Sequence, residues 1–244
     1  METTETSGST LTLDAFSTGK GSLTSLSTLT ISHIVASQSE RILIVGISRD
    51  KGSPVHDGQN IVKYDGQALT FLLTKAGDSG TDASVHIYYL LDPPTGTNDI
   101  TVQNNTATTT AYVVGAASLY GVNADTPFGT SVGATGTDGT PTVTVVTASG
   151  EFILAVVALA NDDSLTAGTN ETERWDDIQG DSLTGAGYTQ AGSDGGVMAP
   201  SHLFGVTFGD AQAGGQAFGD DAGPRAHEGG VLDCGEHLPA ALVT

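Results

Sequence analysis

The sequence predicts an all-β protein, an antiparallel β-sandwich of the Greek-key or jelly-roll type. Three observations predict this fold. Apolar and polar residues alternate with a period of two in many short segments, as they do in half-buried strands. Clusters of turn residues separate these segments at regular spacing. Every window long enough for an amphipathic helix is interrupted by Gly, Pro or Thr.

The first predicted strands differ in how many faces they bury. Leu29–Val35 alternates, with His33 on the inward side, so this strand has one buried face. Arg41–Ser48 is apolar on both faces and is therefore predicted to be a central strand. An Asp-Gly pair at 65–66 then separates two extended runs. It favours a type I′ hairpin, because both of its positions need a positive φ.

The next strand places Val85, Ile87, Tyr89 and Leu91 on its inward face, so that His86 is expected to face solvent. It ends at two prolines, which cannot donate to a sheet. Five later segments are also predicted strands: Ile100–Val102, Ala111–Tyr120, Thr142–Val146, Glu151–Ala160 and Leu203–Phe208.

The chain divides into three predicted parts. Residues 1–21 form an N-terminal arm or first strand, and residues 22–210 form the sandwich. Residues 211–244 are a Gly- and Asp-rich segment, predicted to be a final strand or a tail. The strand pattern weakens after about residue 160, where Gly and Asp become frequent.

The net charge of −20 excludes several classes of partner. Nucleic acids and anionic membranes are repelled by such a surface, so we expect neither nucleic-acid binding nor membrane insertion. Residues 123–244 hold 17 of the 28 acids and 2 of the 8 bases. Two explanations stay open: halophilic adaptation, or carboxylate clusters that bind divalent cations. The single cysteine excludes an intrachain disulfide.

Three segments resemble a known group of proteins. They read IVKYDGQALT from residue 61, IYYLLDPPTGTNDITV from residue 87 and VVGAASLYGVNADTPFGT from residue 113. They are similar to the uncharacterised β-sandwich modules of bacterial, archaeal and phage surface or secreted proteins. The resemblance covers residues 25–192, with Tyr88 where these modules often have Trp. It implies a sandwich fold and a surface-structural or adhesive setting, and it implies no catalytic residues.

The sequence assembles no enzyme active site. No nucleophile elbow is present, and no spacing demands a catalytic triad, so we predict that the chain is not an enzyme. Cys234, with Glu236, His237 and His227, is the most suggestive cluster for a thiolate or a metal site. It lacks a second ligand pair at standard spacing, and a tail is the alternative.

Paired carboxylates suggest where Ca²⁺ would bind, if a cation binds at all. Asp162 and Asp163 form one doublet, and Asp176 and Asp177 form another. In loops such oxygens can ligate Ca²⁺, although neither doublet matches the EF-hand pattern. Solvated acidic loops are the alternative.

Trp175 and Tyr188 are candidates for an aromatic platform that stacks on a sugar ring. A Trp packed at the edge of a core is the alternative. Two triplets, which begin at Asn104 and Asn170, fit the N-glycosylation pattern and fall in predicted loops.

The sequence therefore favours a structural or assembly protein of an extracellular filament, a cell surface or a virion, although no signal peptide is visible. Leu11, Leu13 and Phe16 of the arm are predicted to dock on a neighbouring subunit as an added strand, giving a homo-oligomer. A carbohydrate-binding, adhesive module assisted by calcium is the alternative function.

Overall fold

The computed structural model describes residues 10–50, 60–77, 83–135 and 145–193, and the backbone of 204–208. Within these residues every regular element is a strand, and every paired strand is antiparallel to its neighbour. The predicted all-β sandwich is therefore confirmed. The Greek-key or jelly-roll connectivity stays a prediction.

Three sheets contain the described strands. The strands of the central sheet are β1 (Thr12–Leu23), β3 (Ile42–Arg49), β6 (Thr70–Ala76), β7 (Ser84–Leu91) and β9 (Thr110–Tyr120). Those of the four-stranded sheet are β2 (Thr28–Val35), β4 (Asn60–Tyr64), β5 (Gln67–Ala68) and β8 (Gly96–Asn104). Those of the C-terminal sheet are β10 (Phe128–Gly133), β11 (Phe152–Leu159), β12 (Thr172–Gln179), β13 (Leu183–Ala191) and β14 (Phe204–Phe208).

One edge strand of each sheet, β1, β2 or β12, lies on the same side of the molecule. The central sheet runs β1-β9-β3-β7-β6, the four-stranded sheet β2-β8-β4-β5, and the C-terminal sheet β12-β13-β11-β14-β10. Strand β1 contacts both β2 and β12, so the edges of all three sheets meet on that side of the molecule.

The central sheet lies between the other two, because its strands are apolar on both faces. On one face Ile44 packs in a core with Val156 of the C-terminal sheet. On the other face Val45 packs in a core with Val62 of the four-stranded sheet. The fold is thus a sandwich of three layers, which explains why the whole of β3 is buried.

The orientation predicted for His86 is wrong, because both faces of the central sheet are covered. His86 is fully buried, not exposed to solvent. Its ring nitrogens lie 3.1 Å from the hydroxyl of Ser84 and 3.3 Å from the hydroxyl of Thr74. The alternation of the strand was recognised, but both faces of the central sheet are covered, so the outward position is also buried.

The turn at residues 65–66 has the predicted conformation. Asp65 has a φ of 48° and Gly66 a φ of 78°, as a type I′ turn requires. After this hairpin the chain crosses at Leu69 from the four-stranded sheet to β6 of the central sheet.

The predicted strand over 142–146 is only partly described. Val145 and Val146 lie outside any strand, and 142–144 are outside the described residues. Buried Val145 instead joins a third core, on the outer face of the C-terminal sheet, with Leu165 and Tyr188. The residues from 145 and the segment around 165 therefore cover this face.

Candidate functional site

The proposed aromatic platform does not exist in this fold. Trp175 is 5% exposed and lies in the core between the central and C-terminal sheets. Tyr188 is 1% exposed and lies in the third core, on the opposite face of the C-terminal sheet. The two rings neither share a surface nor reach solvent, so a sugar cannot stack on them. The glycan-binding prediction for these two residues is corrected accordingly.

Two glycines explain why the only Trp is buried. A Cβ atom at Gly115 of β9 or at Gly187 of β13 would overlap the indole ring of Trp175. The missing side chains of these two residues leave the space that the ring fills between the layers.

The four candidate calcium ligands lie in different places. Asp162 and Asp163 are exposed in a turn, where Asn161 donates a hydrogen bond of 2.8 Å to Asp163 Oδ2. Asp176 and Asp177 follow each other on β12 and therefore point to opposite faces. Within the described residues, no three His, Cys, Asp or Glu side chains form a metal-binding group. The predicted calcium site made of these four residues is therefore corrected.

Asp177 joins two layers. Its Oδ2 accepts a hydrogen bond of 2.8 Å from Thr18 Oγ1, and its Oδ1 lies 3.1 Å from Lys20 Nζ. Thr18 and Lys20 belong to β1, so this carboxylate links the edge of the C-terminal sheet to the edge of the central sheet.

Asp176 and Glu171 hold a covering segment over the outer face of the C-terminal sheet. Asp176 Oδ2 accepts a hydrogen bond of 2.9 Å from the Leu165 backbone N–H. Glu171 Oε2 accepts one of 2.8 Å from the Gly168 backbone N–H. We call residues 163–168 the covering segment. Each carboxylate thus uses one oxygen for this structural bond.

Four buried side-chain oxygens of β12, of β13 and of the residue just before β12 have no hydrogen-bond partner among the described residues. They are Glu171 Oε1, Asp176 Oδ1, Tyr188 Oη and Gln190 Oε1. Burial raises the pKa of Asp176 and of Glu171, and their backbone hydrogen bonds only partly oppose this shift. Burial likewise raises the pKa of Tyr188, and Asp176, Glu173 and Glu171 raise it further.

Sequence reasoning identified Asp176 and Tyr188 for other roles and missed Glu171 and Gln190. The usable signal was the i, i+2 spacing of Tyr188 and Gln190, which puts both on one face of a strand. The strand itself was not predicted, because it is rich in Gly and Thr.

The side chains of the N-terminal arm pack within their own chain. Leu11, Leu13 and Phe16 contact the core between the central and C-terminal sheets. The Arg174 guanidinium lies 4.6 Å from the centre of the Phe16 ring. Strand β1 pairs with β9 from Thr12 to Leu23. The prediction that this arm docks on a neighbour is therefore corrected: residues 12–23 are the first strand of the central sheet.

His33 lies inward, as predicted, and is 2% exposed. Its Nδ1 lies 2.8 Å from Ser17 Oγ, and its buried Nε2 has no hydrogen-bond partner among the described residues. Burial lowers the pKa of His33 to about 4, with Asp14 opposing the shift. The contact of a serine with a histidine is not a catalytic dyad here, since a substrate cannot reach the buried ring.

A second buried polar cluster lies at the end of β3. Arg49 lies 5.6 Å from the centre of the Tyr112 ring. The Tyr112 hydroxyl donates a hydrogen bond of 3.0 Å to Asn60 Oδ1. Burial raises the pKa of Tyr112 to about 12, although the charge of Arg49 lowers it. These contacts stabilise the join between the central and four-stranded sheets.

Two open depressions lie on the surface of the described part. One of about 420 Å³ is lined by the hairpin at Asp65 and by residues 97–99 and 101 of β8. Another of about 500 Å³ lies beside Asp14 and residues 34–37. Neither encloses a substrate in the way that most small-molecule sites do.

The two glycosylation triplets differ in access. Asn104 is fully buried at the end of β8, and its side-chain amide donates to the carbonyls of Leu23 and Thr108. Asn170 is exposed in a turn, with a φ of 67°. Asn170 is thus the accessible one of the pair.

The Cys234 cluster, with Glu236, His237 and His227, and the whole C-terminal segment 211–244 lie outside the described residues. Among the residues that are described, no helix is long and apolar enough to cross a membrane. Comparison of the chain with family models, with curated proteins and with solved structures finds no match.

Proposed function

We propose that this chain is a structural, assembly-forming β-sandwich protein of an extracellular filament, a cell surface or a virion, and that it acts without catalysis. The observation that carries the proposal is strand β6, which lies at one edge of the central sheet among the strands that the structure describes. A strand at the end of a sheet has backbone donors and acceptors on its outer side that can pair with another chain.

Strand β6 is suited to pairing because its apolar side chains reach both cores. Leu72 and Leu73 pack at the margin of the core shared with the C-terminal sheet. Phe71 packs at the margin of the core shared with the four-stranded sheet. All three are only partly buried. An added strand would therefore extend two apolar interfaces at once, besides making backbone hydrogen bonds.

The opposite edge of the central sheet is less suited to pairing. There β1 is tied to β12 through Asp177 and to β2 through the contact of Ser17 with His33. Each edge strand carries one lysine, Lys20 on β1 and Lys75 on β6, so charge does not distinguish the two edges and the ties of β1 to its neighbours do. Assembly through the β6 edge is the simpler arrangement.

The occupant that we propose is a second copy of the chain, paired edge to edge. Two copies, each with a net charge of −20, repel one another, so screening by salt favours their association. The acidic, lysine-poor composition and the resemblance to surface modules support an extracellular setting. The burial of Trp175 and Tyr188 removes the observation that favoured glycan binding, so we advance assembly alone.

The test uses the full chain and two matched lysine variants. In Leu72→Lys a charge enters the β6 edge, whereas in Thr28→Lys the same charge enters an exposed position on β2. Analytical ultracentrifugation at high salt should show oligomers for the wild type and for Thr28→Lys, and monomers for Leu72→Lys. Thermal unfolding shows whether each variant is folded.

The proposal fails if the wild type is monomeric at both low and high salt. It also fails if a folded Leu72→Lys variant assembles as well as the wild type does.

A further inference from the structure

The outer face of the four-stranded sheet is almost uncharged, in a chain whose net charge is −20. The alternating burial along β2 and β4 shows that these strands bury one face and expose the other. Lys63 and Asp99 are the only charged residues among the outward positions of β2, β4 and β8. Two copies of the chain therefore repel one another least where these faces meet.

The strand register arranges the outward side chains in four rows across this face. From one end to the other, the rows are Ile61 with Gln103 and Thr28, Lys63 with Thr101 and Thr30, Asp99 with Ser32, and Thr97 with Ile34. Successive rows are roughly 7 Å apart along the strands, because two residues separate them. Lys63 and Asp99 thus lie on opposite sides of the middle of the face.

An acidic depression adjoins the third row. It is the open depression of about 420 Å³, which Asp65 and Asp99 line together with residues 66, 97, 98 and 101. The Asp65 backbone N–H donates a hydrogen bond of 3.1 Å to the Asp99 carbonyl, so the turn is held against β8. The ion pairs among the described residues involve Lys20 and Arg41, and neither Lys63 nor these two aspartates takes part in them.

Large apolar side chains are exposed at both ends of the face. Ile61, in the first row, is 39% exposed, and Ile34, in the last row, is 55% exposed. Leu26 is 61% exposed and lies in the turn before β2, where its carbonyl accepts a hydrogen bond of 2.9 Å from Gln103 of the first row. Three of the four large apolar side chains that the described residues expose therefore belong to this face.

We propose that this face is an interface between two copies of the chain, in which Lys63 of each copy enters the acidic depression of the other. Sheets that pack face to face keep their strands nearly aligned. A two-fold axis that crosses the strands between the second and third rows places the second row of one copy over the third row of the other, and the first row over the fourth. Lys63 then meets Asp65 and Asp99 of the second copy, and Ile34 meets the apolar end of the face.

The face contact is self-complementary and differs from the contact at the β6 edge. Each pairing of Lys63 with the depression occurs twice, as a two-fold interface requires. Pairing of β6 with β6 about a two-fold axis is complete with two copies, so a filament needs a second contact. The outer face belongs to another sheet, so the two contacts can alternate along an extended assembly.

Salt affects the two contacts differently. At about 0.15 M salt the Debye length is about 8 Å, so the overall repulsion between copies is largely screened, whereas charges in direct contact still attract. At 1 M salt the Debye length is about 3 Å, and these ion pairs weaken as well. We therefore expect the face contact near 0.15 M salt and its loss at the high salt that favours the β6 edge.

The test is analytical ultracentrifugation at about 0.15 M NaCl of the full chain carrying Leu72→Lys, which blocks the β6 edge. This chain should dimerise through the face. Adding Lys63→Glu should weaken dimerisation by roughly tenfold or more, because like charges then face one another. Adding Lys75→Glu instead is the control, since it changes the net charge equally on β6, away from this face.

Asp99→Lys separates the face contact from the effect of net charge. It makes the chain less negative, so it would strengthen association if general repulsion alone decided. We expect it to weaken dimerisation instead, because two lysines then meet. Lys63→Glu combined with Asp99→Lys restores opposite charges across the interface and should recover dimerisation.

Circular dichroism and thermal unfolding show whether each variant is folded. If Leu72→Lys does not fold, the same substitutions are made in the wild-type chain, where Lys63→Glu should lower the oligomer size and Lys75→Glu should not. The proposal is overturned if the Leu72→Lys chain is monomeric at this salt, if Lys63→Glu dimerises as well as Lys75→Glu, or if the charge swap fails to recover dimerisation. These outcomes leave the β6 edge untouched, because that edge is tested at high salt.

Discussion

His33 illustrates how one buried side chain sets a dependence of stability on pH. It packs edge-on against Tyr64, with the ring centres 6.4 Å apart, and lies near Asp14 of β1. Burial lowers its pKa from 6.5 to about 4, so between these values the unfolded chain binds a proton that the folded chain excludes. The free energy of unfolding is therefore at its full value above pH 6.5, and it decreases as the pH falls towards 4.

We expect this histidine to cost roughly 3 kcal/mol of unfolding free energy between pH 7 and pH 4. The measurement is urea unfolding of the wild type and of His33→Phe, which keeps an aromatic ring but cannot titrate. The free energy of unfolding of the wild type should fall more steeply over this range. Parallel curves for the two proteins would show that His33 does not carry the effect.

Gly115 decides whether Trp175 fits between the layers. A methyl group at Gly115 overlaps the indole ring, whereas one at Gly21 of β1 makes an ordinary contact with Leu29. We expect Gly115→Ala to lower the free energy of unfolding by about 1–3 kcal/mol and Gly21→Ala to change it much less. Fluorescence of the single Trp reports unfolding directly. Equal effects of the two substitutions would contradict this packing.

At the scale of elements, β1 is the first strand of the central sheet, one of the two roles that the sequence left open for residues 1–21. It pairs with β9 along its length, and Leu13 and Phe16 pack against the core. The turn between Leu23 and Thr28 joins it directly to β2, so the strand is held beside its own sheet.

Deletion of residues 1–20 should therefore abolish cooperative unfolding, because it removes most of a strand from the central sheet. Deletion of residues 1–9 is the control, since it leaves every described residue in place. Circular dichroism and urea unfolding check both proteins. If the protein without residues 1–20 still folds and unfolds cooperatively, β1 is not required for the fold and the prediction is wrong.

The strands predicted from the sequence are those with strong apolar patterns. Segments 29–35 and 111–120 lie within β2 and β9, and segment 41–48 lies in β3 except for Arg41. In contrast β12 and β13 were not predicted, because their apolar positions are replaced by Gly, Thr and acidic residues. Glycine at 185 leaves room for Val113 of the central sheet, and glycine at 187 leaves room for Trp175 of the adjacent strand. The sequence alone does not show this requirement, because both contacts depend on how the strands are arranged.

The whole molecule packs three sheets around apolar cores, and its composition is highly acidic. Its net charge is −20, with eight Lys and Arg residues in 244. Repulsion among these charges opposes the compact state and is screened when the Debye length falls to about 3 Å at 1 M salt.

We expect the urea midpoint of unfolding to rise between 0.05 M and 1 M NaCl for that reason. KCl should act in the same way, because screening depends on ionic strength. Sucrose, which carries no charge, separates screening from general exclusion of the solute. A midpoint that is independent of salt would contradict a role for charge repulsion.

The sequence alone determined the extended conformation of most segments, the type I′ turn at residues 65–66, the central position of β3 and the overall charge. These features depend on local periodicity, on the φ angles of adjacent residues and on composition. Only the tertiary structure decided that a third sheet covers the central one and that His86 and Trp175 are buried. It also decided that Asp176 and Asp177 face different layers. A period of two shows which residues share a face, but what covers that face depends on strands distant in the sequence.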